Sequence, residues 1–153
     1  MFNIILHTPQ IPPNTGNIIR LCANCGATLH LIKPLGFSLD EKSCRRAGLD
    51  YHDMARVSQY DSLDECLIAL GNPRLFAITK FGERTYSDVP FAAGDALLFG
   101  AETTGLPDDI HNSLKADQKL ALPMIAGNRS LNLSNAVSIV IYEAWRQSGF
   151  AGV

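Results

Sequence analysis

The sequence predicts an α/β fold in a single domain, with a mostly parallel sheet covered by helices on both faces. Three observations lead there. Short apolar runs alternate with helical stretches along the whole chain. Most of those runs lack the in–out alternation of a half-solvated strand, as expected for parallel strands covered on both sides. Helix-start signals recur between them. Such alternation implies layered α/β architecture with right-handed crossovers.

The expected strands are Phe2–His7, Leu29–Lys33, Arg56–Tyr60, Leu75–Lys80, Ala96–Phe99 and Leu120–Pro123. A first helix is expected to begin near Asn14 or Thr15, after Pro12-Pro13. Within it Ile18, Leu21, Cys22 and Cys25 fall at i, i+3, i+4 and i+7 and form the apolar stripe. Asn17, Arg20 and Asn24 lie opposite, so Arg20 is expected to face away from the core. Ser38-Leu39-Asp40-Glu41 and Ser62-Leu63-Asp64-Glu65 read as capping boxes. The helices they open should stop near Gly48 and at Gly71-Asn72-Pro73. Pro107-Asp108-Asp109 places proline and acids at the start of a short helix. The last helix is expected over about Leu133–Ser148, capped by Gly149. Its apolar stripe runs from Leu133 through Ala136, Val137, Val140, Ile141 and Ala144 to Trp145. A second face carries Asn135, Ser138, Tyr142 and Arg146. Tyr142 there is an interface residue, a substrate contact or an ordinary half-buried tyrosine. The stretch 81–88 has few core-forming residues and is expected to be a loop that closes over a ligand or touches a partner.

Composition bounds the function. The 153 residues suit one domain spanning 1–153, and 46% hydrophobic content supports a sizeable core. No apolar run approaches the length of a membrane span, and the N-terminus lacks the pattern of a signal peptide, so the cytoplasm is the expected location. A net charge of −2 argues against broad, nonspecific nucleic-acid binding but leaves room for a local patch. Lys42, Arg45 and Arg46 are the densest cationic cluster; they are either a solvated helix face or phosphate contacts. Zinc at Cys22 and Cys25 would need a second ligand pair, and Cys44 and Cys66 are isolated. The expectation is reduced cysteines in the core and no metal.

Three polar, glycine-containing segments each follow a short apolar run, where α/β proteins bind ligands. They are Asn14-Thr15-Gly16-Asn17-Ile18-Ile19-Arg20, then Phe99-Gly100-Ala101-Glu102-Thr103-Thr104-Gly105-Leu106, then Leu122-Pro123-Met124 leading to Ser130-Leu131-Asn132-Leu133-Ser134-Asn135-Ala136. These segments resemble the SPOUT superfamily of trefoil-knot RNA methyltransferases, in its 2′-O-ribose branch. They match that branch's N-x-G-N-x-x-R, F-G-x-E-x-x-G-L and S-x-N-x-S-N-A motifs in family order. The resemblance covers Met1 to about Gly149, and is nearest to the small branch that methylates the tRNA wobble nucleotide, cytidine or uridine 34.

The resemblance implies a deep C-terminal knot, which periodicity alone would never suggest. It implies S-adenosylmethionine as methyl donor, with Ile78, Gly100, Leu122 and Ser130 at the donor. Arg20, Glu102 and Asn132 are implied as catalytic, Arg20 activating the ribose 2′-hydroxyl. A guanidinium stays protonated, so holding the adjacent phosphate and stabilising the developing alkoxide is the more conservative role for Arg20. Glu102 is then a candidate proton acceptor or a loop acid with a structural hydrogen bond. Asn14, Lys42, Arg45, Arg46 and Tyr142 are the candidates for touching tRNA. Family members pair through the first and last helices, so a homodimer is expected. The chain starts at its first expected strand and ends just past its last expected helix, so no appended RNA-binding domain is expected, and this expectation favours tRNA over ribosomal RNA. Methylation of another tRNA or rRNA nucleotide, and RNA binding without catalysis, remain as rivals. A nicotinamide enzyme should show G-x-G-x-x-G after its first strand, where this chain has His7-Thr8-Pro9-Gln10-Ile11-Pro12-Pro13.

Overall fold

A computed structural model describes residues 1–153. Seven strands form one sheet: β1 (Asn3–His7), β2 (Thr28–Ile32), β3 (Val57–Tyr60), β4 (Leu75–Ile78), β5 (Arg84–Thr85), β6 (Ala96–Phe99) and β7 (Lys119–Ala121). Their spatial order is β3-β2-β1-β6-β4-β7-β5, and every pairing is parallel. The helices are α1 (Pro12–Cys25), α2 (Glu41–Arg46), α3 (Tyr51–Met54), α4 (Leu63–Ala69), α5 (Asp108–Ser113) and α6 (Leu133–Gln147).

Both faces of the sheet are covered. Successive residues of a strand point to opposite faces. Ile4, Leu6, Leu29, Leu31, Leu97 and Phe99 pack on one side with Ile18, Ile19 and Cys22 of α1 and Val137, Val140, Ile141 and Ala144 of α6. Ile5, Ile32, Ala77 and Leu98 pack on the other with Cys66 of α4 and Leu114, while Ile110 of α5 lies against them. At the amino ends of the strands, Arg74 Nε and Nη2 donate to both oxygens of Asp95 at 2.8 and 2.7 Å. Asp95 is 3% exposed and also accepts from the Ala92 amide, so this end of the sheet is fixed by a bidentate pair.

Four details differ from expectation. α1 begins at Pro12, two residues early, because proline fits the first turn of a helix, where amides lack partners anyway. α2 is capped by Asp40, whose side chain accepts from the Ser43 amide, while Ser38 only hydrogen-bonds Asp40. The stretch 81–88, expected as a loop, contains β5 and a one-turn 3-10 helix over Tyr86–Asp88. α3 was not foreseen, although Asp50 and Asp53 close a reciprocal capping box at its start. No helix is long and apolar enough to cross a membrane.

Candidate active site

The carboxyl ends of β6, β4 and β7 lie side by side. There Phe99, Ile78 and the chain just past Ala121 wall a cavity of about 240 Å³. Parallel sheets bind ligands at this edge because loops from neighbouring strands converge on it. Ile78, Gly100, Leu122 and Ser130, the four residues expected at the donor, all line this one cavity.

Gly100 makes the approach possible. A Cβ there would collide with the backbone of Gly105 and Leu106. The loop closes on itself through paired hydrogen bonds, Ala101 N to Gly105 O at 3.2 Å and Gly105 N to Ala101 O at 2.9 Å, and Gly105 supplies the positive φ of the turn. The lining is mixed. Phe99, Leu106, Leu122 and Leu133 are apolar; Lys80 and Asp108 bring opposite charges; strand ends offer backbone groups. This suits an organic ligand with an apolar body and charged ends. No cluster of His, Cys, Asp or Glu is arranged to hold a metal ion.

Glu102 ties two of the motif segments together. Its Oε2 accepts from the Gln10 amide at 2.9 Å and its Oε1 from the Ile11 amide at 3.0 Å and Asn14 Nδ2 at 3.3 Å. An anion at the amino end of α1 is also favoured by the helix dipole. Burial pushes the Glu102 carboxyl up, but these hydrogen bonds to the charged form outweigh it and hold its pKa below the ordinary value. Asn14, 5% exposed, continues the chain: its Oδ1 accepts from Asn132 Nδ2 at 2.9 Å. Asn132 in turn caps α6, its Oδ1 accepting from Ser134 N and Ser134 Oγ. Asn14, Glu102 and Asn132 thus join the three segments at one point. Glu102 also lines the cavity, whereas Asn14, which is buried, and Asn132, which is exposed, do not.

The remaining expected residues lie elsewhere. Arg20 is exposed on the polar face of α1 and outside the cavity; its Nη2 donates to the carbonyls of Ala47 and Gly48 at 3.0 and 2.9 Å. Lys42, Arg45 and Arg46 sit on α2. Arg45 is engaged with Glu41 at 2.6 Å, and Lys42 and Arg46 have no carboxylate at ion-pair distance. Tyr142 is 45% exposed on α6. Trp145, expected in the buried stripe, is only half-buried: it packs edge-on between Tyr142 and Phe150 and donates to the Ala151 carbonyl, forming a surface aromatic row. Cys22 is buried and Cys25 half-buried, and burial raises the pKa of both thiols.

Sequence reasoning missed Thr79, Lys80, Asp108 and His111 as cavity residues, whereas Phe81 belongs to the stretch 81–88 that it expected to close over a ligand or touch a partner. The Phe81 and His111 rings meet edge to face at 5.3 Å, with Lys80 Nζ 4.9 Å from the Phe81 ring centre. An aromatic three residues past β4, whose carboxyl end opens on the site, was the available signal.

Residues 1–142 match the SpoU rRNA Methylase family. A tRNA (cytidine(34)-2′-O)-methyltransferase of Methylovorus glucosotrophus is 52% identical over 152 residues, covering 99% of this chain and 99% of that one. A solved structure concerned with the 2-OH methylation of C/U34 on tRNA matches with a TM-score of 0.87 at 41% identity, covering 97% of each chain. The SpoU methyltransferase AviRb from Streptomyces viridochromogenes, in complex with AdoMet, matches with a TM-score of 0.80 at 26% identity, over 95% of this chain and 57% of that one.

Proposed function

Because the chain belongs to the SpoU methylase family, we propose that it transfers a methyl group from S-adenosylmethionine to a tRNA ribose 2′-hydroxyl, that of the wobble nucleotide, cytidine or uridine 34. The supporting observation is convergence. Loops after β4, β6 and β7, carrying Ile78, Gly100, Leu122 and Ser130, meet at one cavity with an apolar floor and charged walls. The named activity of the 52% identical relative supports the choice of substrate.

Ile78, Gly100, Leu122 and Ser130 hold the donor, which when bound supplies a methyl group on a sulfonium, already a good electrophile. The protein's task is to align the acceptor oxygen and lower its proton affinity. Arg20 takes the phosphate beside the target ribose and stabilises negative charge developing on the oxygen. Both hydrogens of its Nη2 face the Ala47 and Gly48 carbonyls, so Nη1 and Nε are offered to RNA. Glu102, held in its ionised form by three donors, acts as a positioning residue. The proton of the hydroxyl passes to phosphate or water. Asn132 and Asn14 keep the third segment in register with the first.

The working unit is a homodimer joined through α1 and α6. Arg20, Asn17 and Asn24 are exposed on one helix, and Ile139, Tyr142 and Phe150 are exposed on or beside the other. Pairing these faces would bring Arg20 of one protomer toward the cavity of its partner. The knot expected from the family belongs to the same proposal, with the segment after Leu122 as its threaded part.

The test is transfer of label from donor to tRNA transcripts that carry either a ribose or a 2′-deoxyribose at position 34. Methylation of the first and none of the second is expected; equal labelling of both would reject the assigned nucleotide. Sedimentation showing a fully active monomer at micromolar concentration would reject the dimer.

A further inference from the structure

The turn between α2 and α3 touches Arg20 although it belongs to none of the three motif segments. Arg20 Nη2 donates to Ala47 O at 3.0 Å and Gly48 O at 2.9 Å. These carbonyls stand where they do because α2 ends there: Gly48 takes φ +69, its amide donates to Arg45 O, and Leu49, 7% exposed, donates from its amide to Cys44 O. A positive-φ residue of this kind is a common way to end a helix. A cation beside carbonyls at a helix end is favourable. The space is also tight, for a Cβ on Gly48 would lie 2.7 Å from Arg20 Nη2. Arg20 is exposed and no carboxylate is at ion-pair distance from it, so this turn is its only anchor.

We propose that the Ala47–Gly48 turn is a positioning element for Arg20. It fixes the guanidinium plane by holding both Nη2 hydrogens and presents Nη1 and Nε to the substrate. A side chain on Gly48 would push the guanidinium away from the two carbonyls, and Gly48 also supplies the positive φ of the turn. The inference rests on the proposed role of Arg20 in methyl transfer. It has a second consequence for α2, the helix that carries Lys42 and Arg46: contacts made there by RNA would reach Arg20 through two hydrogen bonds.

The test uses Gly48→Ala and Gly48→Asn. Asparagine tolerates positive φ better than alanine, so the pair separates backbone strain from close approach. Guanidinium rotation of Arg20 is followed by NMR in arginine-labelled protein, its signal assigned through Arg20→Lys. Slow, resolved Nη rotation is expected in the wild type and free rotation in both variants. In single-turnover methylation both should fall about tenfold or more in rate, since a displacement of about 1 Å can cost about a hundredfold. Donor and tRNA affinities should stay within about twofold, and in an Arg20→Lys background Gly48→Ala should cost little further rate. Free rotation in the wild type would overturn the proposal, as would an unchanged rate in Gly48→Asn or an equal loss in the Arg20→Lys background. A wild type that methylates no tRNA would instead reject the proposed function, while the NMR measurement still decides the contact.

Discussion

Asn132 donates from Nδ2 to Asn14 Oδ1 at 2.9 Å, joining the first turn of α1 to the cap of α6 across 118 positions of sequence. Asn14 also donates to Glu102 at 3.3 Å, so a single side chain is common to all three motif segments. Deleting it removes the partner of Asn132 Nδ2 and one of the two donors to Glu102 Oε1, which keeps the Ile11 amide. Asn14→Ala should therefore cost about 1–3 kcal/mol of stability, the net worth of two hydrogen bonds at about 0.5–1.5 kcal/mol each. Urea denaturation of wild type and variant measures it. A loss below a few tenths of a kcal/mol would show that water replaces the amide without penalty.

Glu102 should make stability depend on pH. Its folded-state pKa lies below the ordinary value, net of burial, because Gln10, Ile11 and Asn14 donate to the carboxylate. The unfolded chain then binds the proton more readily. The stabilisation is complete above the unfolded value of about 4.3 and disappears as pH falls through the lower folded value. Glu102→Gln should be less stable than wild type at neutral pH, and the gap should close on acidification. Denaturation midpoints from about pH 3 to 7, a range that brackets the unfolded value, test this. A gap constant over that range would assign the loss to packing.

Gly100→Ala should weaken donor binding in folded protein. The added methyl meets the backbone of Gly105 and Leu106, which cannot move aside as a flexible side chain would. Overpacking of this kind costs about 1–3 kcal/mol, so a loss of donor affinity of about fivefold to a hundredfold is expected if the strain falls on the loop. Calorimetry with S-adenosylmethionine, with circular dichroism as the check on folding, would decide. Unchanged affinity in folded protein would place the donor away from this loop.

The order of elements was legible because the apolar runs of a covered parallel sheet, as in β1, β2, β4 and β6, have no competing period. β5 escaped notice because Arg84 and Thr85 bear no pattern; tertiary contact makes them a strand. Gly82, whose Cβ position would overlap the Leu120 and Ala121 backbone, lets that stretch lie beside β7. In the site, motif spacing identified residues that line the cavity but not what their polar atoms touch. Glu102 accepts from amides 91 and 92 positions away, and Arg20 donates to carbonyls 27 and 28 positions away. Such pairings depend on how loops from different strands meet, and no local pattern encodes them.

The two cysteines of α1 should respond unequally to serine. Cys22 is 1% exposed within the core between α1 and the sheet, whereas Cys25 is half-buried at the end of the helix. Cys22→Ser should cost about 1–3 kcal/mol, the penalty for an unpaired buried hydroxyl, and Cys25→Ser distinctly less. Methyl transfer per folded molecule should survive in both. Urea midpoints and a tritium-transfer assay read the two effects; stoichiometric zinc in the purified protein would overturn the assignment of these thiols to packing.

Binding of RNA should depend on few cations, and α2 shows which to count. The chain is net −2, and on this helix Arg45 is held by Glu41 at 2.6 Å while Lys42 and Arg46 are unpaired. Asp40 accepts from the Ser43 amide as the helix cap and makes no ion pair with either of them, although Arg46 is near enough to favour its charged form. Removing one cation that meets a phosphate should reduce the slope of log affinity against log salt by about one. Lys42→Ala with Arg46→Ala should therefore lower it by about two, while Arg45→Ala alone should change it little, because Arg45 is already engaged by Glu41 and holds no phosphate counterion to release. Filter binding of tRNA between about 50 and 200 mM salt, the range over which such slopes are read, provides the measurement. A slope unchanged in the double variant would make α2 a solvated face. A full unit of slope removed by Arg45→Ala would mean that RNA breaks the Glu41 pair to take the third cation.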